Sequence, residues 1–287
     1  MSEKNKGLLV NILLYLIAYV AGLIVFYLID NILVAEAALT ATSTLIIFII
    51  TCFIKDTSLY DPYWSVAPVI MVLAAMIKYN LWHINGIIIL AVITLWSLRL
   101  TINWFNTYKG LYHEDWRYSQ FRKKYNPFVY GIINFFGLQY IPTIVVYAGL
   151  ISSFFIIQNE GFSPLIIPGV LIMLLGIVFE FVSDRAIHRF IKENKGQRKT
   201  CNISLWKYSR HPNYLGELSF WTGMYIAFVL LNPTIWYAGL GFLSIVLLFL
   251  FISIPMMEKH NLERRDDYKE YQEQTSMLFI LPNKKKN

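Results

Sequence analysis

Long apolar runs separated by short polar connections set the pattern of this chain. A helix of about 20 apolar residues crosses the ~30 Å hydrocarbon layer of a bilayer. The pattern predicts an all-α polytopic transmembrane bundle with eight spans: 8–29, 38–54, 63–78, 86–105, 130–157, 164–190, 213–231 and 234–256. Because spans 38–54 and 63–78 are short, seven crossings with one re-entrant segment is the alternative.

Composition supports a membrane protein. Hydrophobic residues make up 56% of the chain and charged residues 15%, whereas soluble domains are about 25% charged. The first apolar run is too long for a signal peptide and has no cleavage site after it, so we expect it to be retained. No repeat or linker divides the chain, which predicts a single membrane domain over 1–287. Cys52 and Cys201 have no metal-site spacing, and we interpret them as small filler residues.

Connections between spans that contain Lys and Arg alternate with connections that contain neither. The termini and every second connection hold 23 of the 25 Lys and Arg residues. This positive-inside asymmetry predicts that both termini are cytoplasmic, in a bacterial inner membrane or its equivalent. The net charge of +7 then suits anionic lipid headgroups or a phosphorylated ligand. Nucleic acid is not an expected partner, because the chain has no basic soluble module.

Span 164–190 carries acids at helical spacing. Glu180, Asp184 and His188 follow one another in steps of four, so they lie within about 80° on one helix face. Arg185 and Arg189 form a neighbouring stripe. The pattern indicates the lining of a polar pocket, and an intrahelical ion-pair ladder is the alternative.

The stretch RHPNYLGE (210–217) predicts a helix start that can bind an anion. Pro212 suits a first helical turn, so the helix begins near His211 and its exposed amides favour phosphate oxygens. The amides belong to Asn213, Tyr214 and Leu215, and the nearby preceding cations are Arg198, Lys199, Lys207 and Arg210. Glu217, one turn deeper than Asn213, fits hydrogen bonds from the sugar or carboxamide of a ligand. A helix cap with interfacial aromatic anchors is the alternative.

Isolated polar groups near other span ends are further candidates. Asp61 either caps the helix that opens with Pro62 or has a functional role. Arg99 either snorkels to the surface or contacts a ligand phosphate or Asp61. In the helix that follows the last span, His260 and Arg264 are closest to the membrane, which makes them candidate ligand contacts.

The segment 113–125 reads HEDWRYSQFRKKY. Its Glu114, Asp115, Arg117 and Tyr118 predict an ion network that orders a loop.

Three motifs carry a resemblance to a known family. FEFVSDRAIHRF (179–190), LWKYSRHPNYLGE (205–217) and the terminal pattern of Glu258, Tyr268, Tyr271 and Pro282 resemble the steroid 5α-reductase family of membrane reductases and its uncharacterised bacterial relatives. EDWRY (114–118) and the Asp61/Trp64 pair also fit the uncharacterised relatives. The resemblance covers about 38–282 and leaves 1–37 as an extra N-terminal span. It implies a helical bundle with a deep cavity open to the cytoplasm, NADPH as hydride donor and a lipid enone as acceptor.

The resemblance also implies roles for single residues. It places cofactor contacts at Arg99, Glu180, Asp184, Lys199, Asn213, Glu217 and His260, with Lys199 at the phosphates and Asn213 near the nicotinamide carboxamide. Residue-based reasoning adds Arg210, His211, Tyr214 and Arg264 to this set. The substrate carbonyl is held in the steroid enzymes by a Glu and a Tyr, whose positions here are Asp61 and Trp96. An indole N–H is no useful acid, so the proton donor stays open between Tyr60, Tyr63 and Tyr108.

RHPNYLGE also resembles the isoprenylcysteine and phospholipid methyltransferases, which use S-adenosylmethionine and would close its site with Glu258. The polar face at 180–188 and the cations favour the reductase. We therefore expect an integral-membrane, NADPH-dependent reductase acting on CH–CH groups, without a metal. It would transfer hydride to the conjugated C=C of a steroid- or isoprenoid-like lipid. A methyltransferase is the alternative, and a non-catalytic lipid-binding or transport protein is the third possibility.

Overall fold

The computed structural model describes residues 2–283, and within that range it contains helices and no strand. The prediction of an all-α polytopic bundle is confirmed. The helices are α1 Glu3–Tyr27, α2 Ile32–Ile54, α3 Tyr63–Lys78, α4 Ile84–Thr107, α5 Trp116–Lys124, α6 Pro127–Ile132, α7 Ile141–Ile157, α8 Ile167–Glu193, α9 Pro212–Leu231, α10 Phe242–Leu248, α11 Ile254–Arg264 and α12 Tyr268–Gln274.

Eight helical segments in the described part are long and apolar enough to cross a membrane. They coincide with the eight predicted spans, including the two short ones, and indicate an integral membrane protein. The span Pro127–Ile157 joins α6 to α7 through a π-helical segment, Ile133–Tyr140. Three cations counted at the predicted cytoplasmic C-terminus, Lys284, Lys285 and Lys286, lie outside the described residues.

On the segment 56–125 the structure excludes one alternative and corrects one prediction. Asp61 does not cap α3, because Pro62 occupies the N-cap position and Asp61 ends a short 3-10 helix, Thr57–Tyr60. The segment predicted as a loop at 113–125 contains α5, whose N-cap Asp115 accepts a hydrogen bond from the Arg117 amide. The ion pairs expected there therefore hold a helix in place.

The chain forms two compact units, Met1–Ser163 (unit 1) and Pro164–Asn287 (unit 2). The first span is an integral part of unit 1, because α1 packs closely on α2. Ser43 Oγ donates to Ala18 O at 3.0 Å, and a Cβ on Gly22 would lie 2.4 Å from Ser43 Oγ.

In unit 2, α8 and α9 approach each other through glycines. A Cβ on Gly176 would lie 2.5 Å from Gly216 O, and a Cβ on Gly216 would lie 2.6 Å from Gly176 O. Gly169 and Gly223 make a second pair of the same kind two turns away. Because lipid provides no hydrophobic force between helices, close backbone packing through small residues stabilises such pairs. The α8–α9 contact fixes where the polar end of each helix lies.

We expect Gly216→Ala to lower the thermal unfolding midpoint in detergent, because the new methyl group would overlap Gly176 O and the Glu180 side chain. Overpacking of this kind costs about 1–3 kcal/mol. Gly131→Ala is the matched control, since nothing lies within 4 Å of its Cβ position and alanine favours a helix. Equal midpoints for both variants would contradict the close packing of α8 on α9.

Candidate functional site

A cavity of about 200 Å³ lies within unit 2, at the start of α9. Side chains from α8, α9, α11, α12 and the segment between α8 and α9 surround it. Its lining is Ile187, Thr200, Cys201, Trp206, Arg210, His211, Asn213, Tyr214, Met257, Asn261, Arg265, Tyr268 and Tyr271. Four of the predicted cofactor residues are therefore brought together: Arg210, His211, Asn213 and Tyr214.

The start of α9 lies where the sequence predicts it, but one of the three amides predicted to be exposed is hydrogen-bonded within the helix. His211 is the N-cap and Pro212 the first helical residue. Leu215 N donates to His211 O at 3.0 Å, so the prediction that this amide is exposed is wrong. Asn213 precedes that hydrogen bond and lies in the first turn, where backbone amides have no intrahelical acceptor.

Asn213, which lines the cavity, carries a buried acceptor without a partner in the described structure. Its Oδ1 is inaccessible to solvent and accepts no hydrogen bond from any described residue. A buried amide oxygen without a donor costs about 1–3 kcal/mol, so a ligand that donates an N–H or O–H would gain from binding here. Beside it, the rings of His211 and Tyr214 are stacked at 5.2 Å with an interplanar angle of 13°. They present a flat wall.

The carboxylate of Glu258 organises this wall. Its four donors are Arg210 Nε at 2.9 Å, His211 Nε2 at 2.8 Å, Tyr268 Oη at 3.0 Å and Gln272 Nε2. The Arg210 guanidinium also donates to Gln272 O and Thr275 O. Arg210 is thus neutralised by Glu258 and held in place, so less of its charge is available to a phosphate than the sequence predicts.

The tyrosines of the cavity are neutral donors. Burial raises the pKa of Tyr268 and of Tyr271 above the ordinary value. Tyr271 donates to Trp206 O and Ser209 O, which ties the segment before α9 to α12. Cys201, interpreted from sequence as a filler residue, is also buried in this wall, and burial raises the pKa of its thiol.

The side of α11 that lines the cavity is adjacent to the side predicted from the sequence, which carries His260 and Arg264. Met257 and Asn261 of α11 face it, and so does Arg265, the residue that directly follows α11, so the three are spaced by four residues. His260 and Arg264 each lie one residue away, about 100° around the helix, and do not line the cavity. The sequence shows that Asn261 and Arg265 are four residues apart, as His260 and Arg264 are. Only the rotation of α11 about its axis decides which of these two pairs faces the cavity.

The remaining predicted cofactor residues of unit 2 lie outside this cavity. Lys199 is exposed and Asp184 is half-buried. Glu180 is 1% exposed and packs against Gly216, whose Cβ would meet its Cγ. Glu217 is also buried, and its Oε1 accepts a hydrogen bond from Trp221 Nε1 at 2.8 Å.

Unit 1 holds the predicted catalytic residues. The hydroxyl of Tyr118 in α5 donates to Asp61 Oδ1. Burial and the neighbouring Asp61 raise the pKa of Tyr118, so this phenol is a neutral donor beside a carboxyl group. Sequence reasoning missed Tyr118 as the partner, because its segment was assigned only to an ion network.

That ion network holds α5 against the 3-10 helix that carries Asp61. Arg122 makes a bidentate pair with Glu114 at 2.6 and 3.0 Å. Glu114 also accepts from Thr57 N at 3.1 Å, and the Asp115 amide donates to Ser58 Oγ at 2.8 Å. Arg117 also pairs with Asp115 at 2.8 Å. The predicted ion pairs are therefore present, but they hold a helix and not a loop, and they position Tyr118 next to Asp61.

Trp96 and Arg99 lie on α4 in the same unit. Trp96 is fully buried, and its ring centroid is 6.0 Å from that of Trp64, three residues after Asp61. Arg99 is half-buried, one turn further along α4. Tyr60 donates to Gln139 O and Tyr63 to Thr40 O, while Tyr108 stacks on Trp104. Of the four tyrosines, Tyr118 is the one whose hydroxyl is hydrogen-bonded to Asp61 among the contacts described.

We expect Glu258→Ala to destabilise the protein strongly, because it leaves the buried Arg210 without its counter-charge. Removing one partner of a buried pair costs about 3–5 kcal/mol, and the side chains of Arg210 and Glu258 are 11% and 10% exposed. Glu263→Ala, on the exposed face of α11, is the control. The measurement is thermal unfolding in detergent, and a midpoint equal to that of Glu263→Ala would show that the network is dispensable.

Comparisons with known proteins place the chain in a family. A family model described as "Protein of unknown function (DUF1295)" matches residues 47–275. The uncharacterized protein C594.04c of Schizosaccharomyces pombe is 24% identical over 294 residues, which cover 91% of this chain and 79% of that protein. No solved structure matches the chain. The matched region includes both the Asp61–Tyr118 pair and the lining of the cavity. The chain therefore belongs to the DUF1295 family.

Proposed function

We propose that this protein is an integral-membrane oxidoreductase that transfers hydride from NADPH to the conjugated C=C of a lipid enone. The observation that carries the proposal is the buried, unsatisfied Asn213 Oδ1 in a cavity at a helix N-terminus. A nicotinamide carboxamide has the N–H donors that this oxygen lacks. The resemblance of the surrounding motifs to the steroid 5α-reductases supports the same cofactor.

The cavity suits one part of a dinucleotide. Whole-ligand pockets usually measure about 300–1,000 Å³, so a cavity of about 200 Å³ fits a single ring with its substituents. The stacked rings of His211 and Tyr214 offer a surface for a flat ring. Arg265 and the first-turn amides of α9 supply the positive potential that phosphate oxygens prefer.

The Asp61–Tyr118 pair suits the acceptor. When bound, the cofactor supplies the hydride. Addition of hydride to the β-carbon of an enone places negative charge on the carbonyl oxygen, and a positioned neutral donor stabilises that charge. Tyr118 has a neutral hydroxyl held by Asp61. In this proposal the Tyr118 hydroxyl redirects its single proton from Asp61 to the carbonyl when the acceptor binds, and Asp61 positions the phenol before that step.

The methyltransferase alternative fits the cavity less well. S-Adenosylmethionine is cationic at sulfur and would need an available carboxylate. Glu258, the residue expected to serve it, already accepts hydrogen bonds from four donors. Arg265 also lines the cavity, and its charge opposes a cationic ligand.

The cofactor is tested by purifying the protein in detergent, identifying bound nucleotide by mass spectrometry and titrating NADPH. We expect Asn213→Ala to weaken NADPH binding roughly tenfold, the effect of one lost hydrogen bond to a buried acceptor. Asn202→Ala, at an exposed position outside the cavity, should bind like the wild type. Recovery of an S-adenosyl compound in place of NADPH would overturn the proposal.

The acceptor chemistry is tested with Tyr118→Phe and Asp61→Asn, assayed for NADPH oxidation with a panel of steroid and polyprenyl enones. Loss of a general acid lowers kcat by about 10²–10⁴, and we expect that range with unchanged NADPH affinity. Tyr112→Phe is the matched control, because Tyr112 is 72% exposed in the segment leading to α5. Full turnover in Tyr118→Phe would remove this phenol from the chemistry.

A further inference from the structure

A carboxylic acid is buried in unit 1 far along α2 from the Asp61 end. Glu36, near the start of α2, is 0% exposed. Neither of its side-chain oxygens has a hydrogen-bond partner in the described structure. An ionised carboxylate in such surroundings costs several kcal/mol, and acids inside spans usually have a function. Neither the proposed cofactor cavity nor the Asp61–Tyr118 pair uses Glu36.

Two ionisable groups from neighbouring helices lie within electrostatic range of Glu36: Lys78 from α3 and Tyr147 from α7. Both side chains bond elsewhere. Lys78 Nζ donates to Phe26 O at 2.8 Å and to Ile29 O, at the end of α1. The Tyr147 hydroxyl donates to Leu33 O at 2.8 Å. The carboxyl of Glu36 is therefore near a positive charge without forming an ion pair.

A chain of hydroxyl groups lies between Glu36 and the Asp61 end of unit 1. The chain begins at Thr44 on α2. Thr44 Oγ1 is 3.1 Å from Thr143 Oγ1, and Thr143 Oγ1 is 2.8 Å from Tyr60 Oη. All three residues are 5% exposed or less. A hydroxyl can both donate and accept a hydrogen bond, which is the property that a proton relay needs. Tyr60 and Thr143 also donate to Gln139 O, each at 2.8 Å, so proton transfer along the chain requires these hydroxyls to rotate.

The two ends of this chain lead toward acids. Tyr60 directly precedes Asp61, which accepts from Tyr118. At the other end, α2 places Thr40 and Glu36 one and two turns from Thr44, about 6 and 12 Å along the axis. Thr40 is also buried, and its carbonyl oxygen accepts a hydrogen bond from Tyr63. Steps of one helical turn are short enough for one or two waters to bridge.

The proposed reduction, on which this inference rests, consumes one proton for each hydride. Hydride forms a C–H bond at the β-carbon, the C=C pair moves toward the carbonyl, and a proton completes the second C–H bond at the α-carbon. Tyr118 and Asp61 can hold one proton but need a supply for the next turnover. We propose that Glu36 and the hydroxyl chain Thr44–Thr143–Tyr60 form a proton-delivery path that resupplies the Asp61–Tyr118 pair.

The test compares Glu36→Gln and Thr44→Val with the wild type in steady-state NADPH oxidation in H₂O and D₂O. We expect each variant to lower kcat at least roughly tenfold, with a larger solvent isotope effect and unchanged NADPH affinity. Thr44→Ser should restore turnover, because it keeps the hydroxyl. Thr94→Val is the matched control, since Thr94 Oγ1 bonds only within α4, to Leu90 O, in the contacts described.

Infrared spectroscopy gives a readout that does not depend on activity. At neutral pH we expect a protonated-carboxyl band in the wild type that disappears in Glu36→Gln, and absence of the band in the wild type would overturn the proposal. Thermal midpoints identify variants that fail to fold, and Thr143→Val replaces Thr44→Val if it does.

The outcomes separate the two proposals. An active wild type whose Glu36→Gln and Thr44→Val variants match Thr94→Val would refute the delivery path and leave the proposed function intact. A wild type that oxidises no NADPH with any enone would refute the proposed function, and the role of the path with it.

Discussion

A polar group inside an apolar bundle must find its partner within the protein, because hydrocarbon offers none. In unit 2 this constraint gathers Arg210, His211, Tyr268 and Gln272 around the carboxylate of Glu258. These contacts join the start of α9, the end of the last span and α12. The cavity wall is therefore shaped by the neutralisation of one buried acid, before any ligand binds.

The buried polar groups that lack a partner in the described structure say most about function. Most buried polar atoms in a folded protein have a partner, so each exception needs an explanation. Asn213 Oδ1 and the carboxyl of Glu36 are two such exceptions in the described structure. The first lines a cavity at a helix N-terminus, and the second lies beyond a chain of buried hydroxyls. In the two proposals, a bound ligand supplies the missing partner of Asn213 Oδ1, and a proton neutralises the carboxyl of Glu36.

The sequence predicts the spans well because hydropathy and length are local properties. The sequence also predicts where α9 begins, because Pro212 fixes its start to within one turn. The sequence does not predict contacts between segments that are far apart along the chain. Tyr118 meets Asp61 across 57 positions, through a helix that sequence reasoning assigned to a loop. The stripe of α11 that faces the cavity differs from the predicted one by a single residue, and only tertiary packing fixes that rotation.

The state of Arg210 bears on how a phosphorylated ligand would be held. A cation already paired with Glu258 contributes little new attraction, but its fixed geometry lowers the entropy lost on binding. Arg198 is committed in a similar way, because it donates to Glu263 O and Arg264 O. The exposed Lys199 and the cavity-lining Arg265 then supply more of the attraction. Attraction by exposed cations is screened by salt, whereas the hydrogen bond to Asn213 is not. Affinity for phosphate should therefore depend on ionic strength, while recognition of the ring should persist.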